Sequence, residues 1–374
     1  MRGEQSPVLS APSPLPLLPS ANSVVRSSFL FLSARLRALS GSALSFSASL
    51  FNSKLSTLPS LFGSQDTSRG SHSSLATRHS PLATLFLLLA FNPAINAQSR
   101  PAITGISHVR LYSADLHASS TFYGQLLGLP SGHNTCLGIG RPCFSVDGRQ
   151  RVELQQITGG APDNLLAEIA FSTPNVARMR DFLQAHKIDA SPIAKDGNDA
   201  SYFTLHDPEG HPLAFVQESS GGFFTPAEHQ ISTRILHAGF IVKDLAKEKA
   251  FYQDLLGFRL YWQGGFQDNG LDWYEIQVPD GEEWIEFMLN IPANANRQER
   301  GIQNHFSLGV SNANHAATRL RSFGASKFDG PEVGRDGKNS LDIYDPDQTR
   351  VEIMDFKPTQ SPCCHPYAAA HPKP

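Results

Sequence analysis

The sequence predicts an α+β fold of four modules, each a strand, an amphipathic helix and further strands, arranged as two related halves. Three observations carry this prediction. His108, Asp115, Phe122-Tyr123 and Leu126-Leu127-Gly128 recur 129 residues later as His237, Asp244, Phe251-Tyr252 and Leu255-Leu256-Gly257. Glu168-Ile169-Ala170-Phe171, Asp196-Gly197 and Asp207-Pro208-Glu209-Gly210 recur at offsets of 137 to 140 as His305-Phe306-Ser307-Leu308, Asp336-Gly337 and Asp345-Pro346-Asp347. The segments that open these repeats alternate apolar and polar residues with a period of two, as a strand with one buried face does.

The repeats divide the chain into a leader (1–97), a first half (101–220), a second half (231–358) and a Pro-rich tail (359–374). In the second half, Leu236, Ala238, Phe240 and Val242 form the apolar set of the first strand, opposite His237 and Gly239. Phe306, Leu308 and Val310 do the same against His305, Ser307 and Gly309. After Asp244, the spacing of Ala246, Phe251, Leu255 and Leu256 predicts a helix that stops at Gly257. Late strands alternate too. Ile285, Phe287 and Leu289 oppose Trp284, Glu286, Met288 and Asn290, while Val351 and Ile353 oppose Glu352 and Met354. With the helices on the apolar face, the other sheet face is left carrying histidines and glutamates.

The leader is a different kind of sequence. Residues 1–100 hold 23 serines, 8 basic and only 2 acidic side chains, without lasting periodicity, the composition of a disordered segment. Within it, residues 78–97 combine a basic flank, the apolar run Pro81–Phe91 and a small residue at Ala97, which suits a secretory signal cleaved after Ala97. That implies a periplasmic or extracellular protein, or a cytoplasmic one if the segment is not used. Residues 101–374 carry 23 basic and 32 acidic side chains, a net of −9, which argues against a nucleic-acid partner. No apolar run reaches the ~20 residues of a membrane span. Four cysteines in 374 residues are too few for a disulfide scaffold, although Cys136 with Cys143, or Cys363 with Cys364, can pair if the protein is exported.

The repeated strand–helix–strands order, the Phe-Tyr…Leu-Leu-Gly helix ends and the Asp-Pro turn before a Glu-bearing strand resemble the vicinal oxygen chelate superfamily. That group includes glyoxalase I, extradiol dioxygenases, methylmalonyl-CoA epimerase and the bleomycin- and fosfomycin-resistance proteins. The resemblance covers residues 103–357 and implies βαβββ modules paired into two curved sheets, each an incomplete barrel around a cleft. It also implies metal ligands on the first and last strand of each module. Carried onto this chain, these are His237, Glu286, His305 and Glu352, with His237 to Glu286 separated by 49 residues and His305 to Glu352 by 47. Two imidazoles and two carboxylates suit one divalent ion: Zn, Ni, Co, Mn or Fe(II). Glu286 or Glu352 can also act as general base. In the first half the corresponding positions are His108, Glu153, Glu168 and Ala214, which leaves a second candidate trio on a half better suited to scaffolding. His211, just after Gly210, reads as a turn residue.

The quartet is closer to glyoxalase I, and Asn290 resembles a residue of that family's substrate site. Trp273 and Tyr274 belong to an aromatic group, with Trp262, Phe266 and Trp284, suited to flank a small-molecule substrate. The Arg that anchors glutathione in that family is replaced by Ile241, so an isomerase, epimerase or lyase acting on another vicinal-oxygen compound is implied. An extradiol dioxygenase using His237, His305 and Glu352 is the alternative. It lacks that family's acid–base His and Tyr near Gly334, Arg335 and Asp342. A metal-free, ligand-sequestering protein is a third reading. Four modules can complete a cleft in a monomer, and a homodimer is equally compatible.

Overall fold

The computed structural model describes residues 99–374 apart from 133–135, 137, 138, 198 and 220–223. The leader 1–97 and its signal-like segment at 78–97 lie outside the described residues. The first half runs β1 (Gly105–Ser113), α1 (Leu116–Thr121), β2 (Cys143–Ser145), β3 (Arg151–Gln156), β4 (Leu166–Ser172), α2 (Val176–Ala185), β5 (Ala194–Lys195), β6 (Ser201–His206) and β7 (Pro212–Gln217). The second half begins β8 (Ile235–Ile241), α3 (Leu245–Lys249), β9 (Arg259–Gly264), β10 (Trp273–Gln277) and β11 (Trp284–Met288). It continues α4 (Arg297–Gln303), β12 (His305–Val310), α5 (Ala313–Ser322), β13 (Asp329–Val333), β14 (Asn339–Tyr344) and β15 (Arg350–Asp355).

The repeated aspartates start the repeated helices. Asp115 accepts hydrogen bonds from the amides of His117 and Ala118, and Asp244 from that of Lys247, so each caps an N-terminus. Both helices then widen into a π turn, Phe122–Leu126 and Ala250–Leu255, instead of continuing as a regular α-helix. Gly128 ends the first of these at φ +67°, where a Cβ would lie 2.4 Å from the His229 carbonyl oxygen. Only glycine fits both the backbone angle and the space.

Two curved sheets result, ordered β2-β3-β1-β4-β7-β6-β5 and β13-β14-β15-β12-β8-β11-β10-β9. Within every module the first and last strands lie parallel: β1 with β3, β4 with β7, β8 with β11 and β12 with β15. The two first strands of each sheet meet antiparallel at its centre, β1 with β4 and β8 with β12. The strands predicted to carry ligand-type residues are thereby the four central ones. Among the described residues, no helix is long and apolar enough to cross a membrane.

The convex faces and helices share one apolar core, in which Phe240, Phe287, Phe306, Leu308, Val351 and Ile353 are buried. The halves interlock reciprocally. Tyr123 donates to Asp345 Oδ2 at 2.9 Å, and Tyr252 donates to Asp207 Oδ2 at 3.2 Å. One strand assignment needs correcting. Leu236 does not share the face of Ala238 and Phe240, because a register shift between Ser307 and Leu308 turns it to the other side. There it packs with Tyr261, Trp284, Met354 and Phe356.

The tail forms no helix or strand, yet it is part of the molecule's packing. It returns over the concave side of the second sheet, where Trp262 donates to the His365 carbonyl (3.0 Å) and the Ala368 amide to that of Tyr261 (2.8 Å). Both cysteine pairs are disulfide-bonded, Cys136 with Cys143 and Cys363 with Cys364. The core makes a direct prediction. Phe287 is fully buried, 5.4 Å from Phe240 and 5.5 Å from Tyr252 between ring centroids, so Phe287→Ala should cost about 3–5 kcal/mol in a denaturant titration.

Candidate metal centre

Strand register assembles the second-half residues. In β11 against β8, Trp284 pairs with His237 and Glu286 with Gly239; in β12 against β8, His305 pairs with Gly239 and Ser307 with His237. In β12 against β15, Ser307 pairs with Glu352. All four candidate ligands therefore face the concave side. The ligand atoms of His237, Glu286 and His305 lie within 4.8 Å of one another. His237 Nε2 is 3.1 Å from His305 Nε2, 3.7 Å from Glu286 Oε2 and 3.3 Å from Glu352 Oε2, while His305 Nε2 is 3.2 Å from Glu286 Oε2. Ligands at about 2.1 Å from one ion stand about 3.0 Å apart at octahedral and about 3.4 Å apart at tetrahedral edges. The donor spacing fits a first-row divalent ion.

Charge and tautomer support the same fit. Glu275, Glu286, Asp336, Asp342 and Glu352 line a cavity of about 240 Å³ together with Arg350, and Lys338 is buried beside it. With Glu332 and Arg335 of the same lining, six carboxyl groups stand against three basic side chains, and a divalent cation would allow the buried ones to ionise. His305 Nδ1 donates to the Gln303 carbonyl at 3.0 Å, which leaves Nε2 with its lone pair toward the centre. Arg350 Nη2 donates to that nitrogen at 2.7 Å, so a metal ion and the guanidinium compete for it; Asp342, 3.4 Å from Nη1, is the other partner of Arg350. Buried atoms without a hydrogen-bond partner concentrate here: His237 Nδ1, Glu275 Oε2, Trp284 Nε1, Ser307 Oγ, Lys338 Nζ, Asp342 Oδ1 and Arg350 Nε.

Burial holds the His237 imidazole well below its usual range, and burial with the adjacent Arg350 does the same to His305, so both stay neutral and able to ligate. Burial pushes Glu352 up to about 8, against the opposing pull of Arg350. Glu275 is raised by burial and then by Glu286, and Lys338 is lowered by burial. Lys338 finds its partners in aromatic faces: its Nζ is 4.0 Å from the Trp284 ring centroid and 4.9 Å from that of Tyr261.

The first-half trio is arranged differently. Arg110 stands at the position of Gly239 and fills the centre, with Nε 2.9 Å from Glu153 Oε2, Nη1 2.9 Å from Glu168 Oε1 and Nη2 3.4 Å from His108 Nε2. Burial would raise the Glu153 carboxyl, but His108, Arg151 and Arg110 hold it well below the usual carboxylate range. Ala214 packs with Ala170, Ala200 and Val216. His108, Glu153 and Glu168 are thus compensated by guanidinium groups.

Other expected site residues divide by strand alternation. Trp273 faces the cavity and stacks on Trp262 at 6.4 Å. Tyr274 is turned to the helix side, where it stacks on Phe287 and donates to Gln253 Oε1, so it cannot contact a ligand in the cavity. Asn290 is exposed at φ +61° and bonds the Leu271 carbonyl and Asp272, as a turn residue outside the cavity lining. Glu275, Lys338, Arg350, Asp336 and Tyr367 were not anticipated. Glu275 carried a signal, because it alternates with Tyr274 and Ile276 and pairs with Glu286. Tyr367, which donates to Asp336 Oδ2 at 3.0 Å from the tail, carried none.

The family model for the glyoxalase/bleomycin resistance protein/dioxygenase superfamily matches residues 234–353. The second half belongs to this vicinal oxygen chelate superfamily. A lactoylglutathione lyase of Haemophilus influenzae is 28% identical over 131 residues, which is 34% of this chain and 96% of that protein. The vicinal oxygen chelate fold extends over both halves. An extradiol ring-cleaving dioxygenase of Brevibacterium fuscum superposes with a TM-score of 0.54 at 18% identity, covering 71% of this chain and 75% of its own. The 2,3-dioxygenase LapB of Pseudomonas sp. KL28 gives 0.54 at 16%, covering 74% and 96%.

Three predictions follow from this geometry. A Cβ on Gly239 would lie 2.2 Å from His305 Cε1, so Gly239→Ala should lower metal affinity at least tenfold in a competition titration with a chromophoric chelator. A carboxyl raised to about 8 prefers its protonated form in the folded chain, so the metal-stripped protein should lose thermal stability as pH rises from 6.5 to 8. Below 6.5 the two depressed histidines act in the opposite sense. Metal binding at pH 7 should accordingly release about one proton, measured by calorimetry in buffers of different ionisation enthalpy.

Proposed function

We propose that the second half is the active site of a divalent-metal-dependent isomerase, epimerase or lyase acting on a small substrate with two neighbouring oxygens, through an enediolate-type intermediate. The observation that carries this reading is the convergence of two neutral imidazoles and Glu286 at ligand spacing beside a cavity, with Glu352 3.3 Å from His237. A bound Zn, Ni, Co, Mn or Fe(II) would supply Lewis acidity where negative charge develops on substrate oxygen. His237, Glu286, His305 and Glu352 would hold it. Glu352, a buried carboxyl beside His237, suits a group that accepts and returns a substrate proton. Trp262 and Trp273 wall the cavity and exclude water, while Lys338 and Arg350 oppose the negative charge of the site. At about 240 Å³ the cavity is smaller than the ~300–1,000 Å³ of drug-sized ligand sites, which favours a compact substrate over a glutathione adduct.

Ring cleavage by His237, His305 and Glu352 is the alternative suggested by the dioxygenases of the same fold. Glu286, 3.2 Å from His305 Nε2, argues for the four-residue set instead. The paired cysteines favour an oxidising compartment, in keeping with an exported protein. Each sheet is completed within one chain, so the proposal needs no second subunit.

Metal analysis of the purified full chain tests the reading. The wild type is expected to carry a first-row divalent ion, and His305→Ala to lose one equivalent. Glu352→Gln should keep its fold and lose about 10²–10⁴-fold of whatever turnover a vicinal-oxygen substrate screen uncovers. No metal in either protein after reconstitution would overturn the enzyme reading and leave a ligand-sequestering protein.

A further inference from the structure

We propose a second divalent-cation site, at the seam between the halves, formed by Asp207, His211 and Glu248. Asp207 and His211 lie on the turn joining β6 to β7 in the first half, and Glu248 lies on α3 in the second. One ligand atom from each falls within 4.8 Å of the other two. His211 Nδ1 is 2.7 Å from Asp207 Oδ2, and the Tyr252 hydroxyl reaches that same oxygen at 3.2 Å.

Glu248 is what points to a ligand. It has no solvent exposure, and neither of its carboxylate oxygens has a hydrogen-bond partner. The nearest donor to Glu248, the Glu209 amide, is shared with Asp207. The amides of Glu209 and His211 bond Asp207 Oδ1 at 3.0 and 2.8 Å, and the Lys243 amide bonds Glu209 at 3.0 Å. Among the described residues, no lysine or arginine pairs with Asp207 or Glu248; His211 is the cationic-type partner of Asp207. A buried carboxylate facing another carboxylate is costly unless a cation or a proton lies between them.

The internal repeat provides the control. At the equivalent positions of the other copy stand Asp345, Thr349 and Ser119. There Tyr123 bonds Asp345, the Thr349 amide closes the same turn at 2.9 Å, and Ser119 bonds Ser113 at 2.8 Å. The turn and its tyrosine clasp therefore form without any further charge, so folding does not require His211 or Glu248. One imidazole and two carboxylates suit a first-row ion such as Zn or Mn. His211 lines a cleft of about 480 Å³, which gives the ion a path to solvent. Bound there, it would cross-link the first half to the second.

The experiment is zinc and cobalt stoichiometry on the full chain as wild type, Glu248→Gln, His211→Ala, His305→Ala and the Glu248→Gln/His305→Ala double variant, with His211→Ala also combined with His305→Ala. The site predicts that Glu248→Gln lowers metal content by one equivalent whatever the His305 background. In His305→Ala, zinc should raise the thermal midpoint and cobalt should give ligand-field absorption, both absent in the double variant. His211→Ala in the His305→Ala background should match the double variant. If the quartet does not bind metal, His305→Ala equals the wild type while Glu248→Gln still loses its equivalent, so the two readings fail separately. Unchanged metal content in Glu248→Gln and in His211→Ala overturns the proposal and assigns a shared proton to the Asp207–Glu248 pair.

Discussion

The space above Gly239 is the constraint on which the second half depends. Its missing side chain lets the His305 ring lie across the neighbouring strand, and Glu286, paired with the same glycine, then faces that ring. In the first half the matching position holds Arg110, whose guanidinium lies between Glu153 and Glu168. One architecture thus yields two electrostatic solutions. A fixed internal cation satisfies the first sheet, whereas the second retains a converging donor set with surplus negative charge. The difference resides in a few side chains at equivalent positions: Arg110 for Gly239, Glu168 for His305 and Ala214 for Glu352.

Concentrated charge of this kind needs a rigid support. Lys338 is held within aromatic faces and not in a tight ion pair, its Nζ being 4.0 Å from Asp336 Oδ2. The aromatic rings keep its charge close to Glu275 and Glu352 without neutralising either by direct contact. The parallel pairing of first and last strands supplies the other half of the support, because each candidate ligand sits on a central strand, hydrogen-bonded on both sides.

Much of this was legible in the sequence because two periodicities reinforced each other. Alternation along β8, β11, β12 and β15 separates His237, Glu286, His305 and Glu352 from their apolar neighbours, and the repeat places them at equivalent points. Leu236 escaped that logic because a register shift is invisible to alternation. Tyr274 was grouped with Trp273 by sequence adjacency, although neighbours on a strand face opposite ways. Asn290 lies just beyond β11, where a left-handed backbone ends the alternation. Glu248 and His211 could not be joined, since their contact depends on how two halves dock and no local pattern encodes that.

The tail has a further consequence. The metal-ligand candidates belong to hydrogen-bonded strands, where a substitution disturbs register and core together. The tail, an irregular segment, does not line their cavity; it packs behind the wall, where Tyr367 bonds Asp336 and the His365 carbonyl accepts from Trp262. Such segments accept changes of length and side chain that strands do not. A change in the tail would therefore reach the cavity at second hand, through the side chains of Trp262 and Asp336 that it holds in place, and leave the ligand-bearing strands paired as they are.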